Sequence, residues 1–364
     1  MSVPFLDLAA TTRELRAEID QAIGEVVGSG WYIGGPHVTQ FEEEFADYSG
    51  ASHCVGVGNG LDALHLSLRA LEIGPGDEVI VASNGFIATV LAITMAGATP
   101  VFVEPHPETH NIDPQRVEDA LTPRTRAILP THLYGQPCDI DALGDLASRH
   151  RLRLIFDAAQ AHGARYKDRP IGGAGDVTTW SFYPSKNLGA LGDAGAITTN
   201  DPNIALRVRT LGNYGSSARY INEVRGVNSR LDPMQAAVLS VKLKHLDRWN
   251  ERRKAIAAYF RERLSGVADL PAVPQWADPV WHLYVVQHPA RDQLQARLAG
   301  KGIQTLIHYP VPPHMQGAYS GLALNPGSFP IAERLATTVL SLPMGPHLSD
   351  AEVEAVAQAV IASA

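Results

Sequence analysis

Lys186 and Asp157 are the two residues whose types and surroundings could carry chemistry together. Asp157 closes an apolar run, Arg153-Leu154-Ile155-Phe156-Asp157, that reads as a buried strand. Ligands of an open α/β sheet gather outside the carboxyl ends of its strands. Lys186 follows a second such run, Val177 to Phe182, by way of Tyr183-Pro184-Ser185, and is trailed by Gly189, Gly192 and Gly195. An amine and a carboxylate brought to opposite ends of one heteroaromatic ring meet the needs of pyridoxal phosphate. The lysine forms the Schiff base, and the carboxylate keeps the pyridine nitrogen protonated so that the ring draws electrons from the substrate carbon. Once an amino-acid donor displaces it, the freed amine is the base that moves a proton between Cα and C4′.

The third chemical element is Gly56-Val57-Gly58-Asn59-Gly60-Leu61-Asp62-Ala63-Leu64, a glycine-rich turn that leaves a strand and opens a helix. Backbone N–H groups at such a helix start hold a phosphate, helped by the helix dipole. The same turn could open a dinucleotide-binding unit, with Glu78 near the acidic position. Its spacing is Gly-x-Gly-x-Gly, however, and Glu78 stands before its strand rather than at the end, so a cofactor phosphate is favoured. Each residue also has an ordinary reading. A lysine near a strand end is usually a solvated surface group, and Asp157 alone would serve as a helix cap. His162 reads as a satisfied structural histidine and is given no role. Carboxylate, lysine and phosphate turn, taken together and in order, are what lift the functional reading above these.

The elements that must position these groups alternate as crossover units on a mostly parallel sheet. Seven strands are expected at Cys54–Gly58, Glu78–Ser83, Pro100–Glu104, Arg126–His132, Arg153–Asp157, Val177–Phe182 and Ala194–Thr198. Leu61, Leu64, Leu68 and Leu71 recur at helical spacing, Asp113-Pro114 reads as an N-cap with proline in the first turn, and Asp139–His150 reads as another helix. Helices are also expected over Thr11–Val27 and Val38–Tyr48. A long helical pattern runs from Asp232 towards Leu264 and links residues 1–245, a large cofactor-binding domain, to a smaller α+β domain at 246–364. Strands are expected there at Trp281–Gln287 and Ile303–Tyr309, and Ser349 with Glu352 announces a capping box on the last helix.

At 364 residues the chain exceeds what one core serves, which fits one large and one small domain. A net charge of -8 offers no general attraction for nucleic acid. The two cysteines, Cys54 and Cys138, form no Cys-x-x-Cys pair, so no disulfide framework or zinc site is supported and no metal is assigned. No stretch reaches the roughly 18 apolar residues of a membrane span, and no basic start leads into a long apolar run. The expectation is a cytoplasmic enzyme acting on small molecules.

Several motifs in order resemble the DegT/DnrJ/EryC1/StrS nucleotide-sugar aminotransferases, a branch of the fold-type I pyridoxal-phosphate enzymes. They are Pro4-Phe5-Leu6-Asp7-Leu8, Gly30-Trp31-Tyr32-Ile33-Gly34-Gly35, Gly58 to Leu64, Asp157-Ala158-Ala159-Gln160-Ala161-His162-Gly163, Ser181 to Lys186, Gly226-Val227-Asn228-Ser229-Arg230-Leu231-Asp232 and Leu342-Pro343-Met344. The resemblance implies that Lys186 is the Schiff-base lysine and Asp157 the partner of the ring nitrogen. It further implies that Gln160 lies near the phenolic oxygen, that Phe86 stacks on the ring, and that Gly60, Leu61 and Ser181 hold the phosphate. Asn228 would come from the second subunit of a homodimer. Tyr183, Arg219, Tyr220, Arg230, His308 and Tyr309 are implied substrate contacts, although the arginines and Tyr220 could equally belong to a solvated loop. Some relatives that dehydrate or deoxygenate sugars carry histidine where Lys186 stands, so lysine favours transamination. The implied reaction passes an amino group from L-glutamate through pyridoxamine phosphate to a nucleotide-linked keto sugar, at C3 of a dTDP-3-keto-6-deoxyhexose. The alternatives are C4 amination of a dTDP-4-keto-6-deoxyhexose, amination of a cyclitol such as scyllo-inosose, and a noncatalytic cofactor-binding regulator.

Overall fold

The computed structural model describes residues 2–364. Its central sheet has seven strands, numbered along the chain: β1 (His53–Val57), β2 (Glu78–Ala82), β3 (Thr99–Val103), β4 (Thr125–Ile128), β5 (Arg153–Asp157), β6 (Val177–Ser181) and β7 (Gly195–Thr199). Their order in space is β1-β7-β6-β5-β4-β2-β3, and only β7 runs against its neighbours. The carboxyl ends of the other six strands therefore lie along one edge, where the turn after β1, the helix after β2, Asp157 and Ser181 all emerge.

Residues fall into place for local reasons. β2 is buried throughout its length and reads Glu-Val-Ile-Val-Ala, the continuous apolar pattern of a strand covered on both faces. The helix Gly60–Ala70 buries Leu64, Leu66 and Leu68 against the sheet at β6 and β7 and starts at Asn59, whose side chain accepts from the Asp62 N–H at 2.8 Å. On the other side of the sheet, Phe45 packs edge-on against Trp180 and Phe182 with ring centroids 5.1 Å apart in both cases. That aromatic wedge fixes the end of β6, five residues before Lys186.

Four expectations change. β4 ends at Ile128 rather than His132, because Pro130 has no N–H to continue the ladder; only a single bridge, Thr131 to Asp157, follows. Ile303–Tyr309 is no strand: its apolar run finds only the isolated bridges Val3–Ile303 and Leu306–Ser341. The strand expected from Trp281 begins at Tyr284 and pairs antiparallel with Val339–Leu342, since Trp281 adopts a left-handed backbone, φ +50°. The long linking helix is two helices, Pro233–Leu243 and Leu246–Leu264, broken at Lys244-His245.

The second helix starts beside the large sheet, where Trp249 meets Leu15, Ile19 and Val238, and ends in a separate core with Phe260, Tyr284, Leu298 and Val356. The expected boundary at 245/246 is crossed in both directions. Val3 belongs to that second core, held by Val3 N–H to Gly302 C=O at 2.9 Å. Ala277-Asp278 returns to pair with Arg165-Tyr166, and Val280 is buried with Phe41, Phe45 and Trp180.

Candidate active site

Asp157, at the last position of β5, is 5% exposed. Thr89 Oγ1 donates to its Oδ2 at 2.8 Å and the Ala159 N–H to its Oδ1 at 3.1 Å. Burial pushes the carboxyl pKa up, opposed by the Ala159 N–H, the Thr89 hydroxyl and the positive charge of Lys186. Burial likewise draws Lys186 down, to about 8, with Asp157 opposing. Each charge acts on the other, so the two side chains share one electrostatic environment, as the sequence requires. A buried carboxylate with its pKa raised is stabilised by a cationic hydrogen-bond donor, and a protonated ring nitrogen is such a donor.

The glycine-rich turn after β1 is built by close packing. A Cβ at Gly60 would lie 2.6 Å from the Ser181 Cβ, so the turn after β1 and the end of β6 touch. A Cβ at Gly195 would lie 2.5 Å from the Asn59 backbone. The Asp62 and Ala63 N–H groups are taken by Asn59, which leaves those of Gly60 and Leu61, in the first turn, to face an anion. From the same chain, Ser229 Oγ accepts from the Gly58 N–H at 2.9 Å and donates to Asp62 at 2.6 Å, bracing the turn.

Gln160, 3% exposed, accepts from the Tyr134 N–H at 2.6 Å and donates to Tyr309 Oη at 3.1 Å, which leaves one amide N–H free for a ligand. Phe86 caps the helix Ile87–Met95; it is 48% exposed, and its ring centroid is 5.3 Å from that of Tyr309. His308 binds Ser341 at 2.8 Å; burial, aided by the charge of Lys186, lowers its pKa to about 4, so it is neutral near pH 7. Tyr183 stands exposed at the rim.

The structure thus brings Lys186, Asp157, Gln160, Phe86, Ser181, Gly60, Leu61, His308 and Tyr309 to one edge of the sheet. Within one chain Arg219 and Tyr220 stand out on a hairpin, and Asn228 and Arg230 flank Ser229, which braces the glycine-rich turn. Arg219 and Tyr220 form the tip of a hairpin, Ser216–Ala218 with Ile221-Asn222, where Tyr220 is 85% exposed and lies under the Arg219 guanidinium. Asn228 is exposed, and Arg230 donates to Asn213 at 2.8 Å. Sequence reasoning missed Thr89 and Tyr134. Thr89 lies one turn along the helix that Phe86 caps, the one local hint that it faces the same way.

Fold and site together define a pyridoxal-phosphate-dependent aminotransferase of fold type I. The profile of the DegT/DnrJ/EryC1/StrS aminotransferase family matches residues 13–361, and the chain belongs to that family. It is 57% identical to the erythromycin biosynthesis sensory transduction protein EryC1 of Saccharopolyspora erythraea over 96% of each chain. It is 56% identical to the dTDP-3-amino-3,4,6-trideoxy-α-D-glucose transaminase of Streptomyces venezuelae, covering 98% of this chain and 95% of that one. The crystal structure of S. venezuelae DesV in complex with a ketimine intermediate superposes with a TM-score of 0.98 at 55% identity, over 99% of this chain and 98% of that one.

Proposed function

We propose that this chain transfers an amino group from L-glutamate to C3 of a dTDP-linked 3-keto-6-deoxyhexose. The observation that carries the transaminase chemistry is the desolvated Lys186 amine beside the buried Asp157 carboxylate. The C3 position rests on the activity for which the Streptomyces venezuelae relative is named. Incubating the enzyme with a panel of dTDP- and UDP-ketosugars and scyllo-inosose plus glutamate, and locating the new C–N bond by NMR, tests it. Amination at C4, or of scyllo-inosose alone, overturns the substrate assignment.

Pyridoxal phosphate, when bound, supplies an electron-withdrawing ring that holds the amino group between the two halves of the reaction. In our reading Asp157 pairs with the ring nitrogen and Lys186 holds, then moves, the proton at the substrate carbon. Gly60 and Leu61 N–H groups with Ser181 Oγ bind the phosphate, Gln160 meets the phenolic oxygen through its free N–H, and Phe86 covers one ring face.

Two outcomes follow from the geometry. Gly60→Ala puts a methyl 2.6 Å from Ser181, and should weaken coenzyme affinity about ten-fold or more, roughly 1.4 kcal/mol, as read by titration with pyridoxal phosphate. The neutral lysine is the nucleophile, so with a pKa near 8 about one in ten molecules is reactive at pH 7, against roughly one in 3,000 for an unshifted lysine. The rate of coenzyme uptake by apoenzyme should therefore rise with pH and level off above about 8. A rate still climbing near pH 10 would mean an ordinary lysine.

We further propose a homodimer in which the partner's Asn228, and its hairpin with Arg219 and Tyr220, complete the site, with Arg230 anchoring that loop. Its support is that Tyr220 and Ile221 on the hairpin, Val224 just after it, and Trp31, Tyr32 and Ile33 before the helix Pro36–Ser49 all expose large apolar surface. Sedimentation as a monomer at micromolar concentration would overturn it. Among the described residues no helix is long and apolar enough to cross a membrane; cytoplasmic residence is proposed with it. So is the division into a cofactor-binding unit (1–245) and a smaller unit (246–364), supported by the separate core around Phe260 and amended by the placement of Val3 there.

A further inference from the structure

Asn187, the residue after Lys186, is buried, and every polar atom of its side chain is engaged. Its Nδ2 lies 2.9 Å from the Val280 carbonyl and 2.9 Å from Asn250 Oδ1. Asn250 Nδ2 lies 2.9 Å from the His162 carbonyl, and His282 Nδ1 lies 3.2 Å from Asn187 Oδ1. Amide orientation is ordinarily ambiguous, but here two main-chain carbonyls settle it. A carbonyl can only accept, so Asn187 must present its NH₂ to Val280, and Asn250 must present its NH₂ to His162. Asn250 Oδ1 then accepts from Asn187, and Asn187 Oδ1 is left as an acceptor facing His282. The donor in that last pair must be Nδ1–H, which in a neutral ring puts the lone pair on Nε2. Burial keeps His282 neutral, and the charges of Lys186 and Arg253 act in the same direction.

The five residues of this chain of bonds come from four separate places: the lysine loop, the helix Leu246–Leu264, the segment after β5, and the Val280–His282 strap that leads into the second core. The strap is also held by its Val280 N–H to the Gly135 carbonyl at 3.0 Å.

We propose that Asn187 is a positioning residue for Lys186, its one-directional amide chain latching the lysine loop to the linking helix and to the Val280–His282 strap while holding His282 as the Nδ1–H tautomer. The proposal rests on Lys186 being the lysine that acts in transamination. Docking of the strap and aim of the lysine are then one event, because the same amide serves both. Side chains misplaced by about 1 Å cost up to roughly 10²-fold in rate.

Two measurements test it. In ¹⁵N-labelled wild-type holoenzyme, with His282 assigned by comparison with His282→Gln, Nδ1 should resonate as a protonated nitrogen and Nε2 as one bearing a lone pair; a proton on Nε2 overturns the chain of donors, and this readout is independent of turnover. In Asn187→Ala, kcat should fall about 10- to 100-fold with KM for glutamate changed less than about two-fold, and amide exchange at Val280 to Leu283 should quicken. A folded variant with wild-type kcat and unchanged exchange overturns the latch. Should the variant not fold, the wild-type tautomer still decides. Should Lys186→Ala retain turnover, the reading of Lys186 fails while the tautomer result stands on its own.

Discussion

Lys186→Ala is expected to lower kcat by about 10⁴-fold or more while leaving pyridoxal phosphate bound. The size of the loss follows from one amine serving as both nucleophile and proton carrier, where general acid–base work alone contributes about 10²- to 10⁴-fold. Binding should survive because the phosphate turn does not depend on the lysine: Gly60 and Ser181 are packed together by the strands that carry them, and Asn59 and Ser229 brace the turn. Absorbance separates the two effects. Wild-type protein with coenzyme should show a visible band that borohydride bleaches and fixes covalently, whereas the variant, after the same treatment, should release its coenzyme on denaturation as the free reduced alcohol, with no covalent link to the protein. A variant that turns over at a near-native rate would place the chemistry on another residue.

Asp157→Asn is expected to lower kcat by about 10²- to 10³-fold, the range seen when one aimed electrostatic group is removed from a water-poor site. The amide is nearly isosteric: its oxygen can keep the Ala159 N–H contact while its NH₂ donates to the Thr89 hydroxyl oxygen, so the loss measures charge rather than shape. The sign with pH is also fixed. In the coenzyme-free protein burial holds the carboxyl pKa above the ordinary 3.8, so coenzyme affinity should show an acid limb at a higher pH than a solvated aspartate would give, as protonation removes the anion. The Asn variant should lack that limb. Full activity in this variant would mean that another carboxylate meets the ring nitrogen.

The site was legible in the sequence wherever its chemistry sits at a strand end. Asp157 closes β5 and Ser181 closes β6, so two apolar runs with a carboxylate or a Ser-x-x-x-x-Lys stretch behind them already point to one edge of the sheet. The phosphate turn was legible for the same reason, through glycine spacing and a helix start. What the sequence hides is contact between distant segments. Thr89 reaches Asp157 across 68 residues, and Asn187 reaches Val280 across 93, and no local spacing encodes either. Ile303–Tyr309 has the composition of a strand but lacks a ladder partner beyond single bridges, since pairing depends on what lies alongside. The break at Lys244-His245 carries neither glycine nor proline, and tertiary packing decides it. Arg219, Tyr220 and Asn228 stand apart from Lys186 in the single chain, so their assignment depends on a second copy.

The repeated passage of the backbone between the two cores bears on how substrate gets in. Val3 docks on the far core before the chain enters the large sheet, the helix Leu246–Leu264 carries it out, Ala277 to Val280 brings it back, and Tyr284 leaves again. Units sewn together by so many threads cannot swing apart as a clamshell does. Admission of a bulky sugar nucleotide then falls to the aromatic doorposts Phe86, Tyr183 and Tyr309, and small-angle scattering curves recorded with and without substrate should superpose.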